Sequence, residues 1–161
     1  MMQQRSNRRN SPESKVEPEF KQQLIELARV TRVVQGGKRM SFRACIAIGN
    51  CKGDVGVGVA KGADVSLAIT KAVREANKNL IKIPVTDETI PHWVKIKEGS
   101  AVILLRPAEK GHGIVAGGVS RVILALTGIK NITAKTLGSR NKINNARATI
   151  KALQALRYDR I

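Results

Sequence analysis

Apolar side chains recur along this chain with two different periods, and the changes of period mark out its elements. Phe20, Leu24, Leu27 and Ala28 repeat at helical spacing and predict a first helix over residues 18–28, with a strand following over 29–35. The run Gln35-Gly36-Gly37-Lys38-Arg39 reads as a loop between two strand patterns. Beyond it Phe42, Ala44, Ile46 and Ile48 alternate with Arg43, Cys45 and Ala47, the period of a half-buried strand. A turn at Gly49-Asn50-Cys51-Lys52-Gly53 leads to Val55, Val57 and Val59, which alternate with Gly56, Gly58 and Ala60. One face of that strand is apolar and the other is almost bare backbone. Glycine weakens a strand, so the bare face implies close approach by another body. Residues 64–81 form the clearest helix, with Val65, Ala68, Ile69, Ala72, Val73, Ala76 and Leu80 in one stripe and Asp64 as N-cap.

Residues 82–93 hold Pro84 and Pro91 in a turn-rich stretch and read as a connection between two halves. Strand patterns resume at 94–97 and 101–106, and Ala101-Val102-Ile103-Leu104-Leu105 is apolar throughout. A glycine-rich loop leads to a helix at 118–127 with Gly128 as its C-cap, then a strand at 131–137 and a last helix at 142–157. The expected class is α+β with two domains: αβββα over 17–83, a linker over 84–93, and a β-β-α-β-α domain over 94–161. Residues 1–16 are polar and unpatterned and read as a disordered tail.

Charge changes this picture more than any motif. The 29 Lys and Arg outnumber the 12 Asp and Glu and leave a net charge of +17. Such a field works against a compact fold unless a polyanion neutralises it. A membrane is the poorer candidate, because no apolar run approaches the length of a span. Nucleic acid is the better one, and the body at the glycine-rich strand face is then either an adjacent helix or RNA. Phe20, Phe42, Trp93 and Tyr158 are the only aromatic residues, too few for serial base stacking, so phosphate and folded RNA shape are the expected targets. Residues 20–90 carry a charge of +6 and residues 91–161 a charge of +10, so both halves should meet RNA. Cys45 and Cys51 have no zinc-type spacing and read as free thiols.

The enzyme readings fail on chemistry. The loop Gly111-His112-Gly113-Ile114-Val115-Ala116-Gly117-Gly118 precedes a helix, where glycine loops can hold phosphate. Val119-Ser120-Arg121 follows it rather than Gly-Lys-Ser/Thr, and the second half has only Glu98, Glu109 and Asp159 to hold magnesium. His92 and His112 lie in loops with no triad partner in prospect. No catalytic residue, metal site, cofactor or small-molecule substrate is expected.

The expected binding site centres on residues 36–41. Gly36 and Gly37 let the main chain approach RNA, Lys38 and Arg39 supply charge, and Arg32 and Arg43 extend the patch. The other RNA-facing candidates are Ser41, Lys52, Lys61, Arg140, Asn141 and Arg147.

Several motifs then fall in one order: Gly36-Gly37-Lys38-Arg39-Met40-Ser41-Phe42, Gly53-Asp54-Val55-Gly56-Val57-Gly58, Ile90-Pro91-His92, Arg106-Pro107-Ala108, Ala116-Gly117-Gly118, Leu137-Gly138-Ser139 and Ala146-Arg147-Ala148-Thr149. Over about residues 20–157 the chain closely resembles the bacterial small-subunit ribosomal protein five family. The resemblance implies a double-stranded-RNA-binding-like domain followed by a βαβα layer that some small-molecule kinases share, a likeness that does not transfer activity. It implies a place in the small ribosomal subunit, of the cytoplasm or of an organelle, near the messenger-RNA entry. It implies support of assembly and decoding accuracy, and contacts with small-subunit ribosomal RNA and with ribosomal proteins four and eight. The segment Thr31 to Ser41 would be linked to spectinomycin response, and Gly113 and Arg121 would face protein four. Gln35, Cys51 and Lys142 depart from the residues usual in the family. A free-standing duplex-RNA-binding factor is the alternative reading.

Overall fold

The computed structural model describes residues 20–83 and 88–157. The expected tail, residues 84–87 of the expected linker and Tyr158 lie outside them. Eleven elements follow in order among the described residues: β1 (Lys21–Val34), β2 (Gly37–Gly49), β3 (Asp54–Gly62), α1 (Val65–Lys78), β4 (Ile81–Lys82), β5 (Val94–Glu98), β6 (Ala101–Pro107), β7 (Ile114–Val115), α2 (Gly118–Thr127), β8 (Ile132–Leu137) and α3 (Lys142–Gln154). They build two sheets, β1-β2-β3-β4 and β5-β6-β8-β7, in which only the β7–β8 pair is parallel. The α+β class and two-domain plan hold.

The expected first helix is a correction, since its described part is strand. β1 pairs with β2 from Lys21 opposite Gly49 to Val34 opposite Gly37. The register slips between Leu24 (opposite Ile46) and Glu26 (opposite Cys45), which leaves Ile25 as a bulge. The extra residue puts Leu24 and Leu27 on one face and Ile25 and Glu26 on the other. A bulge in a period-two pattern thus imitates the three-residue spacing of a helix. The pairing decides the outcome, because without β1 the thirteen residues of β2 would expose a long edge.

The two faces of β2 serve different partners. Ala44, Ile46 and Ile48 pack in one cluster with Ala68, Ala72 and Ala76 of α1. Opposite Ile48, Ile46 and Phe42 stand Gly56, Gly58 and Gly62 of β3, which therefore face α1. A Cβ on Gly58 would lie 2.1 Å from the Ala72 carbonyl oxygen, one on Gly56 2.4 Å from that of Ala76, and one on Gly62 2.6 Å from the Ala68 nitrogen. The body at the glycine face is therefore a helix. Asp64 caps it, its side chain accepting from the Val65 N–H at 2.9 Å.

The opposite face joins the two halves. Ala47 and Val55 share one buried cluster with Ile103 and Leu105 of β6, Leu124 and Leu126 of α2, and Leu153 of α3. Backbone bonds reinforce the contact, Cys51 N–H to Leu126 O and Gly53 N–H to Thr127 O, both at 2.9 Å. Cys51 has φ +56, a left-handed conformation that glycine enters more freely. The described end of the expected linker is packed rather than loose. Ile90 is buried, and the Glu88 carbonyl accepts from Lys130 and Asn131 N–H, each at 3.0 Å. Hydrogen bonding and charge from Lys130 hold the exposed Glu88 carboxyl below its usual pKa.

The second half follows its expectation closely. α2 spans 118–127, and Gly128 closes it at φ +87. The last helix stops at Gln154, short of the expected 157. The two-residue strands β4 and β7 are too short to leave a period in the sequence.

The glycine seam gives a direct prediction. Gly58→Val should lower unfolding free energy by about 3 kcal/mol, the upper part of the usual overpacking range. Gly36→Ala meets nothing within 4 Å and should stay within about 0.5 kcal/mol of the parent. Urea unfolding of the two variants checks the pair, and equal stabilities would refute the seam.

Candidate nucleic-acid interface

β3 pairs with β2 no further than Phe42, opposite Gly62, so the β1–β2 hairpin continues alone as a two-stranded arm. The expected open loop at 36–41 is a correction. The turn itself is Gln35-Gly36, and Gly37 to Ser41 are strand residues paired with Val34 to Val30. Gly37 takes φ +143, which side chains rarely adopt. Residues 31–40 are all exposed, Val33 to 76% and Met40 to 57%.

Register sorts the arm's charges. Val34–Gly37, Arg32–Arg39 and Val30–Ser41 share one face, and Val33–Lys38 and Thr31–Met40 the other. Arg39, Ser41 and Arg43 alternate along β2 on the first of these, and Arg43 stands opposite Lys61 of β3. Two like-charged pairs, Arg32–Arg39 and Arg43–Lys61, thus face each other directly across strands. Such pairs cost stability unless an anion lies between them. Among the described residues no acid pairs with Arg32, Lys38, Arg39 or Lys61.

At the arm's base Glu26 is the organising acid, 3.6 Å from Arg43 and 3.8 Å from Lys142 of α3. Glu26 was hidden inside the expected helix, and Lys142 was read only as a departure from the family pattern. The β1–β2 register would have revealed Glu26. Burial first, then Glu26, push the Cys45 thiol up to about 11, against the opposing pull of Arg147 and Arg43. A cleft of about 530 Å³ runs between β1 and the start of α2, with Ile25, Gly117, Gly118, Arg140 and Lys142 in its lining. Arg140 and Arg147 are exposed. Asn141 is the N-cap of α3, its side-chain oxygen accepting from Ile143 N–H at 3.0 Å.

Lys52 stands apart from this group. It follows the far end of β2, roughly 40 Å of strand from the arm's turn at about 3.4 Å per residue. Gly113 precedes β7 with φ +75, its N–H donating to the buried Asn131 side chain at 3.1 Å. Arg121 is exposed on the first turn of α2.

Comparison with known proteins covers both halves. Residues 20–84 match the family model for the N-terminal domain of ribosomal protein S5, and residues 96–159 that for its C-terminal domain. Small ribosomal subunit protein uS5c of Rhodomonas salina is 49% identical over 154 residues, 94% of this chain and 92% of its own. The uS5c of Guillardia theta is 51% identical over 142 residues, 88% and 84% of the two chains. The uS5 of Synechococcus elongatus is 47% identical over 142 residues, 88% and 79%.

The two cysteines should differ in reactivity, since Cys45 is buried and Cys51 exposed. A disulfide-exchange reagent at pH 8 should titrate one thiol in the native protein and two in denaturant, because the thiolate is the nucleophile. The raised Cys45 value stabilises the fold fully below the ordinary 9.0, and that contribution is lost as pH rises through about 11. Two fast native thiols would contradict the buried site.

Proposed function

This chain belongs to the ribosomal protein S5 family and is a structural, non-enzymatic constituent of the small ribosomal subunit that binds ribosomal RNA, and on that premise we propose that the β1–β2 arm is its principal RNA contact. The relatives are of chloroplast and cyanobacterial type. The observation that carries the proposal is the direct opposition of Arg32 and Arg39 on an arm with no acid beside them. A phosphate between the two guanidiniums turns a repulsion into two charge-assisted contacts. Arg43 and Lys61 extend the track, Lys38 adds charge on the arm's other face, Ser41 offers a hydroxyl, and Gly36 and Gly37 keep the tip free of bulk. Arg140 and Arg147 supply charge behind the arm. Lys52, at the other end of the sheet, serves a separate contact.

Gly113 and Arg121 form the contact with ribosomal protein four, and this neighbourhood underlies an effect on decoding accuracy near the messenger-RNA entry. Support comes from the family resemblance and from the way Asn131 fixes the backbone at Gly111 and Gly113, both N–H groups donating to it at 3.1 Å. A contact with ribosomal protein eight completes the protein partners. The arm reaches into the region that governs spectinomycin response.

Filter binding to small-subunit ribosomal RNA over a salt series tests the arm. The double change Arg32→Gln and Arg39→Gln should flatten the log–log salt slope by about 0.9, the value for the one phosphate the pair holds on duplex RNA taken as B-form-like. Thermal melting of the free protein should not fall and should rise slightly, because both side chains are exposed and their mutual repulsion is removed. An unchanged slope would remove the arm from the interface.

A further inference from the structure

The second sheet has two faces, and the described residues cover one. Ala101, Ile103 and Leu105 of β6, with Ile132 and Ala134 of β8, are buried toward the helices. The alternate positions form the outer face: Lys95 and Lys97 of β5, Leu104 and Arg106 of β6, Lys135 and Leu137 of β8. Register sets Lys95, Leu104 and Lys135 in one row across three strands and Lys97, Val102 and Leu137 in the next. An apolar midline is thus bordered by cations on this face.

Trp93 stands just before β5 and is 64% exposed. It shares a hollow of about 590 Å³ with Lys95, Leu104, Arg106 and Pro107. The outward positions of β5, β6 and β8 carry four cations and no acid. Among the described residues none of those four forms an ion pair. Glu98, the acid of β5, points to the other face and pairs with Lys151 of α3.

We propose that this outer sheet face is a second RNA surface, which takes unpaired nucleotides and stacks one base on Trp93 beside Arg106. The proposal rests on the RNA-binding reading above and adds a different mode to it. Lys95 and Lys135 lie two strand spacings apart, about 10 Å, and can hold phosphates on either side of the midline. Leu104 and Val102 supply apolar contact for sugar and base edges. A duplex keeps its base faces stacked inside, so only a loop, bulge or end can offer a base to the indole. Acidic side chains would answer the cations, yet they bring no aromatic face to stack on an exposed indole flanked by a guanidinium. The chain is too poor in aromatic residues for serial stacking, but one platform needs one ring.

Trp93 is the chain's only tryptophan, so its fluorescence reports on this face alone. The full chain is titrated with a short mixed-sequence single-stranded RNA, a blunt RNA duplex and polyglutamate. Single-stranded RNA should quench Trp93, while the duplex binds without quenching and polyglutamate leaves the emission nearly unchanged. Trp93→Ala should weaken single-strand affinity about tenfold and spare the duplex, while Trp93→Phe keeps most of the affinity. Lys95→Gln with Lys135→Gln should flatten the single-strand salt slope by about 1.4. Circular dichroism melting confirms that the variants fold. Quenching by polyglutamate as strong as by RNA, or unchanged single-strand affinity in Trp93→Ala, would overturn the proposal. Duplex binding together with a Trp93 that stays silent to single-stranded RNA sinks this proposal and leaves the arm standing, whereas failure to bind either RNA sinks both.

Discussion

Gly56, Gly58 and Gly62 of β3 lie beneath Ala76, Ala72 and Ala68 of α1 so closely that no Cβ fits between them. The seam is backbone against backbone, and both sides of it are written in small residues: alanines every fourth position on the helix, glycines and Ala60 at every second position on the strand. Most of the remaining architecture follows from it. With α1 seated on one face of the first sheet, Ala47, Val55 and Val57 are left on the other, and their burial requires a second body. The C-terminal half is that body. Its α2 closes at Gly128 against the Cys51 carbonyl, where a side chain would collide at 2.2 Å.

A shared core of this kind leaves charge at the periphery. Almost every cation points outward, and Cys45 shows what the interior does to a titratable group, since burial pushes its thiol up to about 11. The arm extends beyond the support of β3 with arginines set against each other, an arrangement that lowers the stability of the free protein. On the proposed reading of the arm, bound RNA makes good that loss. Rigid scaffold and charged periphery are therefore two sides of one division of labour: the seam and the shared core fix where the arm starts, and the proposed RNA contact would complete it.

How much of this was legible in the sequence differs from element to element. α2, β6, β8 and the glycine C-cap at Gly128 could be read, because each carries an uninterrupted period or a residue with one conformational use. β1 could not, because the bulge at Ile25 shifts the alternation by one and makes Phe20, Leu24, Leu27 and Ala28 look helical. That error concealed Glu26, the acid that ties Arg43 to Lys142. The charge of the site was visible in composition, and the glycine-basic run at 36–39 pointed to its tip. Register was not visible, so the opposition of Arg32 and Arg39, and of Arg43 and Lys61, had to come from the fold. The glycine face of β3 was seen to need a close neighbour, but only the structure decides for helix over RNA.

Amide hydrogen exchange of the full chain, free and bound to small-subunit ribosomal RNA, tests the division between shared core and arm most directly. Amides of β2 at 44–48 and of β6 at 101–105 should exchange with the same opening free energy, as one cooperative unit does. Arm amides at 30–41 should exchange fast in the free protein and slow strongly in the complex. Separate opening energies for the two halves, or arm exchange that RNA leaves unchanged, would contradict the account.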